Sequence, residues 1–234
     1  MARQIICVHV GNKYPNHYVE ILYASCKRNM IQPFRFVVLT DNKEYDITDA
    51  NFVTRRVEPL LHCKIDRLWW YKMLAFHPDY CDDENLLIDI DVVITGGLDK
   101  LWDHKQSEYM ICQDFNRQWI RNFKHSNSSV VRFTRKHAES IWQDWNPNKL
   151  EWMGKFRGDQ DYMDARIADI KWWPRDWIMS WKWEVNKGGM LSPNGSKYAA
   201  DNTTIPLDCS IIAFHGKPDP HEIEDNAITR FWYN

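Results

Sequence analysis

Leu86-Leu87-Ile88-Asp89-Ile90-Asp91-Val92-Val93-Ile94 is the stretch from which the rest of the chain is read. Its apolar residues form one run, interrupted only by two carboxylates with Ile90 between them. Asp82-Asp83-Glu84 and Gly96-Gly97 bound it on either side. A run of that kind reads as a strand over 86–94, covered on both faces of a sheet. Successive strand side chains alternate, so Asp89 and Asp91 point the same way. Charge is costly at that depth unless it is paired or bound to a metal. Two hard carboxylates with nothing basic beside them suit a divalent cation that keeps positions open for phosphates. The plain alternative is a strand end carrying two solvated aspartates, and the flanking sequence has to decide.

Working outward, Gln4–Val10 reads as a strand ending at Gly11-Asn12-Lys13, and Asn16–Arg28 carries apolar residues at helical spacing. Phe34–Thr40 reads as a second strand closed by Asp41-Asn42, and Phe52–Val57 as a third. Asp66 is placed to cap a helix that bears Leu68, Trp69, Tyr71, Met73, Leu74 and Phe76 and stops before Pro78. Strand, helix, strand in this order implies right-handed crossovers and an α/β domain with a mostly parallel sheet flanked by helices. Ligands of such sheets sit beyond the carboxyl ends of the strands, where Gly11, Asp41, Asp89 and Asp91 fall. Further on, strands are expected at 109–112, 129–133 and 211–214, and helices at 135–145 and 159–167. With no repeat and no linker, the chain reads as a single domain over 1–234. The expected halves are 1–100 for a nucleotide and 101–234 for an acceptor.

Composition narrows the function classes. The 234 residues hold 30 Lys and Arg against 32 Asp and Glu, without the basic excess of a nucleic-acid binder. No stretch approaches the roughly 18 apolar residues of a membrane span. Met1–Cys7 runs directly into an apolar strand, so the expectation is a cytoplasmic protein. The six cysteines lack Cys-x-x-Cys spacing and are expected to be buried and reduced. Asn127-Ser128-Ser129, Asn194-Gly195-Ser196 and Asn202-Thr203-Thr204 match the glycosylation sequon, which matters only in a secreted chain. The 13 tryptophans exceed what a core of this size requires, and Trp172, Trp173, Trp177, Trp181 and Trp183 cluster late. Each taken singly reads as core. Together they suggest aromatic walls for sugar rings, with Lys182, Lys187 and Gly188-Gly189 giving that segment room to move as a lid.

The segment Ile88–Ile94, followed by Gly97-Leu98-Asp99-Lys100-Leu101-Trp102-Asp103, resembles the metal-binding Asp-x-Asp segment of glycosyltransferase family 8. That is the retaining GT-A family of glycogenin and the bacterial lipopolysaccharide galactosyltransferases. Trp70-Tyr71-Lys72 is similar to the family's aromatic-x-basic helix, and Asn127-Ser128-Ser129-Val130 to its donor-sugar strand. Gly158-Asp159-Gln160-Asp161 is similar to its Asp-Gln-Asp helix start, and Phe214-His215-Gly216-Lys217-Pro218 to its terminal segment.

The resemblance implies a Rossmann-like GT-A fold and a retaining hexosyltransferase that uses Mn²⁺ or Mg²⁺. The substrates would be a nucleoside diphosphate sugar, most simply a UDP-sugar, and a glycan or other hydroxyl acceptor. It implies Asp89, Asp91 and His215 as metal ligands, and Gln160, Asp159 and Asp161 at the reacting sugar. It implies donor contacts from Val10, Gly11, Asn12, Tyr14, Asp41, Lys72, Ile90, Asn127, Ser128 and Lys217. Three departures stand out: Val8–Tyr14 holds no carboxylate, Ser129 stands where the family often has Gly, and His215 adjoins Gly216. Taken without the resemblance, Lys72 and Lys217 also read as solvated lysines, Tyr14 as a loop aromatic, Asp41 as a turn cap and Asp159 as a helix N-cap. Two other classes stay open. One is a non-catalytic carbohydrate-binding protein on a degenerate transferase fold, and the other is a sugar nucleotidyltransferase using Gly11-Asn12-Lys13 as a phosphate loop.

Overall fold

In the computed structural model the described residues are 3–41, 43–58, 60, 65–186, 204–224 and 226–233. The strands are β1 Arg3–His9, β2 Phe34–Thr40, β3 Phe52–Arg56, β4 Glu84–Ile88, β5 Val92–Ile94, β6 Met110–Gln113, β7 Ser126–Thr134, β8 Lys171–Trp172, β9 Ile178–Ser180 and β10 Ile211–Ala213. The α-helices are α1 His17–Asn29, α2 Asp99–Asp103, α3 Arg135–Lys155, α4 Asp159–Arg166 and α5 Asn226–Trp232. A 3₁₀-helical segment, Ile65–Phe76, kinks at Arg67 where the periodic run suggested one helix.

The central sheet has seven strands in the order β3-β2-β1-β4-β7-β6-β8. β1 to β4 pair in parallel, whereas β7 runs antiparallel to both β4 and β6. Alternation along the inner strands divides the core. Ile5, Cys7, Phe36, Val38, Leu86 and Ile88 face α1 through Val19, Leu22 and Cys26. Ile6, Val37, Leu39, Leu87, Val131 and Phe133 face Trp70, Met73, Phe76 and Trp145. Each fully buried aliphatic or aromatic side chain contributes roughly 1.5–3 kcal/mol, so the doubly covered strands anchor the fold. Helix α3 runs through Pro147 rather than stopping near 145. Burial of Trp152 and Met153 beyond the proline offsets the lost backbone hydrogen bond.

The 86–94 run is two strands rather than one. β4 ends at Ile88 in the central sheet, and β5 begins at Val92 in a second, three-stranded sheet ordered β5-β10-β9. The reason lies in the aspartates, because a doubly covered strand has no solvated side on which to hold them. The chain therefore leaves one sheet and joins the other across Asp89-Ile90-Asp91, with the Asp89 N–H still donating to Ser129 O at 2.9 Å. Among the described residues no helix is long and apolar enough to cross a membrane.

Candidate active site

Both carboxylates of the crossing are held by groups from elements that precede them. Lys72, on the 3₁₀ segment, places its ammonium 2.7 Å from one oxygen of Asp89 and 2.9 Å from the other. It also donates to Ser128 Oγ at 3.0 Å, on β7. The Tyr14 hydroxyl donates to Asp91 Oδ2 at 2.6 Å. Tyr14 is fixed in turn by His9 at the end of β1, whose Nε2 lies 2.8 Å from the Tyr14 carbonyl while Nδ1 meets Tyr45 Oη at 2.7 Å.

Electrostatics follow from this crowding. Burial, then the Asp89 charge, pushes the Asp91 carboxyl up to about 6, although Tyr14, Lys13 and Lys72 pull against the shift. Burial alone would lower the Lys72 ammonium, but Asp89 and Asp159 outweigh it and hold the pKa above the usual lysine range. Burial, then the charge of Lys182, keeps the His215 imidazole neutral and lowers its pKa to about 3.

A cavity of about 590 Å³ opens over the crossing, at the carboxyl ends of β1 and β4. Of the residues singled out in the sequence it collects Val10, Tyr14, Lys72, Asp89, Ile90, Asp91, Asn127, Gln160 and His215. Gln160 Oε1 accepts from the Ser128 N–H at 3.2 Å, which ties the start of α4 to β7. Ser128 itself is buried beneath the wall.

The remaining candidates lie off this cavity. Gly11, in the left-handed region at φ +74°, donates its N–H to Asp41 Oδ2 at 2.9 Å, so Asp41 pins the turn and takes up the loop's glycine amide. Asn12 is exposed and accepts from Lys43. Asp159 is buried as the first residue of α4, with Gly158 at the N-cap. Burial raises the Asp159 carboxyl while Lys72 and Ser128 lower it, and its Oδ2 has no hydrogen-bond partner. Asp161 grips Arg157 at 2.8 and 3.0 Å, which lowers its carboxyl. Lys217 meets Asp219 at 2.7 Å and Glu222 at 2.8 Å.

Spacing alone passes over other lining groups. Lys13 sits over the Tyr14 ring, 4.4 Å from its centroid, on the cavity wall. Leu68 and Trp69 line it as well. The signal was helical phase: residues 68 and 69 precede Lys72 by four and three, whereas Trp70 and Tyr71 turn into the core. The late tryptophans serve mainly as core. Trp173 is buried and donates to Val130 O at 3.1 Å, and Trp181 stacks on Phe214. Trp172 and Trp177 are half-buried, and Trp183 stands beside His215 with ring centroids 6.0 Å apart. The expected lid at Lys187 and Gly188-Gly189 lies outside the described residues, as do Cys63, the cap side chain of Asp66, the second sequon and Asn202-Thr203 of the third. The first sequon is buried in β7.

The donor set fits a divalent cation in part. Asp89 and Asp91 supply hard oxygens from one short crossing, and burial, then the Asp89 charge, raises the Asp91 carboxyl, a cost that a cation relieves. His215 borders the same cavity, but its Nε2 is 2.7 Å from Ser180 Oγ and its ring stacks on Phe115. Among the described residues no three His, Cys, Asp or Glu side chains stand together as a ligand group.

The two sheets, their order and the carboxylate crossing at their junction define a GT-A glycosyltransferase fold. The solved structures it resembles bear this out. The galactosyltransferase LgtC in complex with donor and acceptor sugar analogs superposes with a TM-score of 0.65 at 17% identity, over 97% of this chain and 93% of that one. An active-site glutamine-to-glutamate mutant of LgtC matches equally well. Glycosyltransferase GlyE of Streptococcus pneumoniae TIGR4 gives a TM-score of 0.61 at 13% identity, over 98% of this chain and 60% of that one. The bifunctional glycosyltransferase WbbM gives 0.59 at 14%, over 94% and 46%. By sequence alone, no family model and no curated protein matches.

Proposed function

We propose that the protein is a metal-dependent, retaining glycosyltransferase that moves a hexose from a nucleoside diphosphate sugar, with UDP as the nucleotide, to a hydroxyl acceptor. The observation that carries the reading is the carboxylate crossing. Asp89 and Asp91 stand at the junction of two sheets, on the floor of a cavity bordered by Lys13, Lys72 and His215. Asp89 and Asp91 would hold Mn²⁺ or Mg²⁺, with His215 joining them only after its imidazole leaves Ser180. When bound, the ion neutralises charge developing on the departing diphosphate.

The chain's own groups do the rest. Lys72 and Lys13 act as point charges toward the phosphates. Gln160, the member of the Asp159-Gln160-Asp161 trio on this cavity, orients the reacting sugar by hydrogen bonding. An amide is a poor nucleophile, so the acceptor attacks from the face the diphosphate leaves, and a leaving phosphate oxygen takes the acceptor proton. The active-site glutamine of LgtC supports giving Gln160 this part. Asp161, clamped by Arg157, and Asp159, buried behind the wall, position the helix start.

Titration with UDP, with and without Mn²⁺, tests the reading. The expected result is metal-dependent binding, abolished in Asp91→Ala together with donor turnover. UDP binding indifferent to metal and to Asp91→Ala would overturn it.

A further inference from the structure

A second cavity, of about 610 Å³, adjoins the first. The two share Trp69, Lys72 and Gln160 as a common wall. Whereas Trp70, Trp102, Trp145, Trp181 and Trp232 are fully buried, Trp69 is 44% exposed. Its position is set firmly. The indole Nε1 donates to Arg157 O at 3.2 Å, and at Gly158 a Cβ would come 2.8 Å from Nε1 and 3.0 Å from Cδ1. Gly158 thus leaves the space that the indole edge fills, and the rest of the ring borders the two cavities.

The charges of the second cavity define what it takes. Asp114, Asp159 and Asp161 line it. Its permanent cations face carboxylates: Arg157 is paired with Asp161, and Lys72 turns its ammonium to Asp89 and the first cavity. An anionic ligand would meet carboxylates without an uncommitted counter-charge. Hydroxyl groups, by contrast, find an acceptor in the second oxygen of Asp114, whose Oδ1 takes the Asn116 N–H and side-chain amide at 2.8 and 2.7 Å. An aromatic plate flanked by carboxylates and amides is the chemistry that holds a neutral sugar, whose apolar face packs on the ring while its hydroxyls donate outward.

We propose that Trp69 is the platform for an uncharged hexopyranose acceptor lying in this second cavity, with its reacting hydroxyl directed past Gln160 into the donor cavity. This rests on the glycosyl-transfer reading and adds the acceptor's class and the residue that selects it. A flat ring between the two cavities also excludes water from the path of attack, which favours transfer over donor hydrolysis.

Saturation-transfer NMR with methyl β-D-galactopyranoside, methyl β-D-glucopyranoside and the matching methyl uronides tests it, with UDP binding measured in parallel. The expected result is transfer to the apolar-face protons of at least one neutral glycoside and none to the uronides. That signal should fall at least fivefold in Trp69→Ala and return in Trp69→Phe. Gly158→Ala, which forces the indole aside, should reduce it likewise while thermal unfolding stays cooperative. Equal binding of neutral glycosides by wild type and Trp69→Ala, preference for uronides, or no glycoside binding at all would overturn the proposal. The UDP arm separates the two readings: glycoside binding through Trp69 without metal-dependent UDP binding leaves a sugar platform but removes the transferase, and with it the acceptor role.

Discussion

The ammonium of Lys72 spans both oxygens of Asp89, at 2.7 and 2.9 Å, and so joins the 3₁₀ segment to the end of β4. The contact is largely screened from solvent, and Asp91 and Asp159 bear on the same ammonium electrostatically. Lys72 therefore balances several carboxylates at once, with Lys13 also acting on Asp91.

Removing it exposes that imbalance. Lys72→Met is expected to lower unfolding stability by about 1–3 kcal/mol, because Asp89 then stands half-buried without its partner. Affinity for UDP in the presence of Mn²⁺ should fall tenfold or more. Lys72→Arg should recover stability better than affinity, since a planar fork cannot reproduce a compact point charge beside Ser128 Oγ. Urea melts and titration of the two variants check both statements. Unchanged stability in Lys72→Met would show that water already satisfies Asp89.

Asp91 gives the metal-free protein a pH signature. Its folded pKa, about 6, lies above the ordinary carboxylate value, so between pH 4 and 6 the folded state holds a proton that the unfolded state has released. Stability from this group therefore falls as pH rises through that window and is highest below it. Part of the side chain still reaches the cavity, so screening leaves on the order of 1–2 kcal/mol. Urea midpoints in EDTA at pH 5 and 7 should differ less in Asp91→Asn than in wild type. Parallel pH profiles for the two proteins would count against the assignment.

The sequence disclosed the central sheet because β1, β2 and β4 are long apolar runs, for which period and length agree. It concealed the second sheet because β5, β9 and β10 have three residues each, too few to establish a period. The carboxylate crossing was legible as chemistry but not as geometry, since two aspartates inside an apolar run look like one strand until a second sheet is present to receive the chain. Lys217 and Trp69 err in opposite directions. The lysine satisfied a motif, yet Asp219 and Glu222 draw it away through a turn that spacing does not reveal. The tryptophan looked like one more core aromatic, and only its phase relative to Lys72 marks it as a cavity residue.

Five cysteines should be chemically silent. Burial pushes the Cys81 and Cys112 thiols up to about 12 and Cys209 to about 11, and it raises Cys7 and Cys26 as well. The thiolate is the reactive form, so none of these five should react with a chromogenic disulfide at pH 8 while the chain is folded. Native protein should titrate no more than one of the six thiols, and guanidinium should release all six. Rapid native reaction of two or more would contradict the burial.

Glu184 ties together the segment that holds Ser180 behind His215. Its carboxylate receives Arg117 through Nε and Nη2, each at 3.0 Å, Arg175 Nε at 3.1 Å and the Ser180 N–H at 3.0 Å. The side chains of Arg117 and Glu184 are 4% and 2% exposed, so removing Glu184 leaves Arg117 as an uncompensated buried charge. Glu184→Ala is expected to cost about 3 kcal/mol, and the paired replacement Arg117→Met with Glu184→Leu much less than the sum of the single changes. A second consequence reaches the cavity. Ser180 Oγ holds His215 Nε2 at 2.7 Å, so loosening the segment through Glu184→Ala frees the imidazole to turn toward Asp89 and Asp91. Mn²⁺ affinity measured on the folded fraction should then stay level or rise even as stability falls. A parallel loss of both would mean that the Glu184 cluster holds His215 in its ligating pose already.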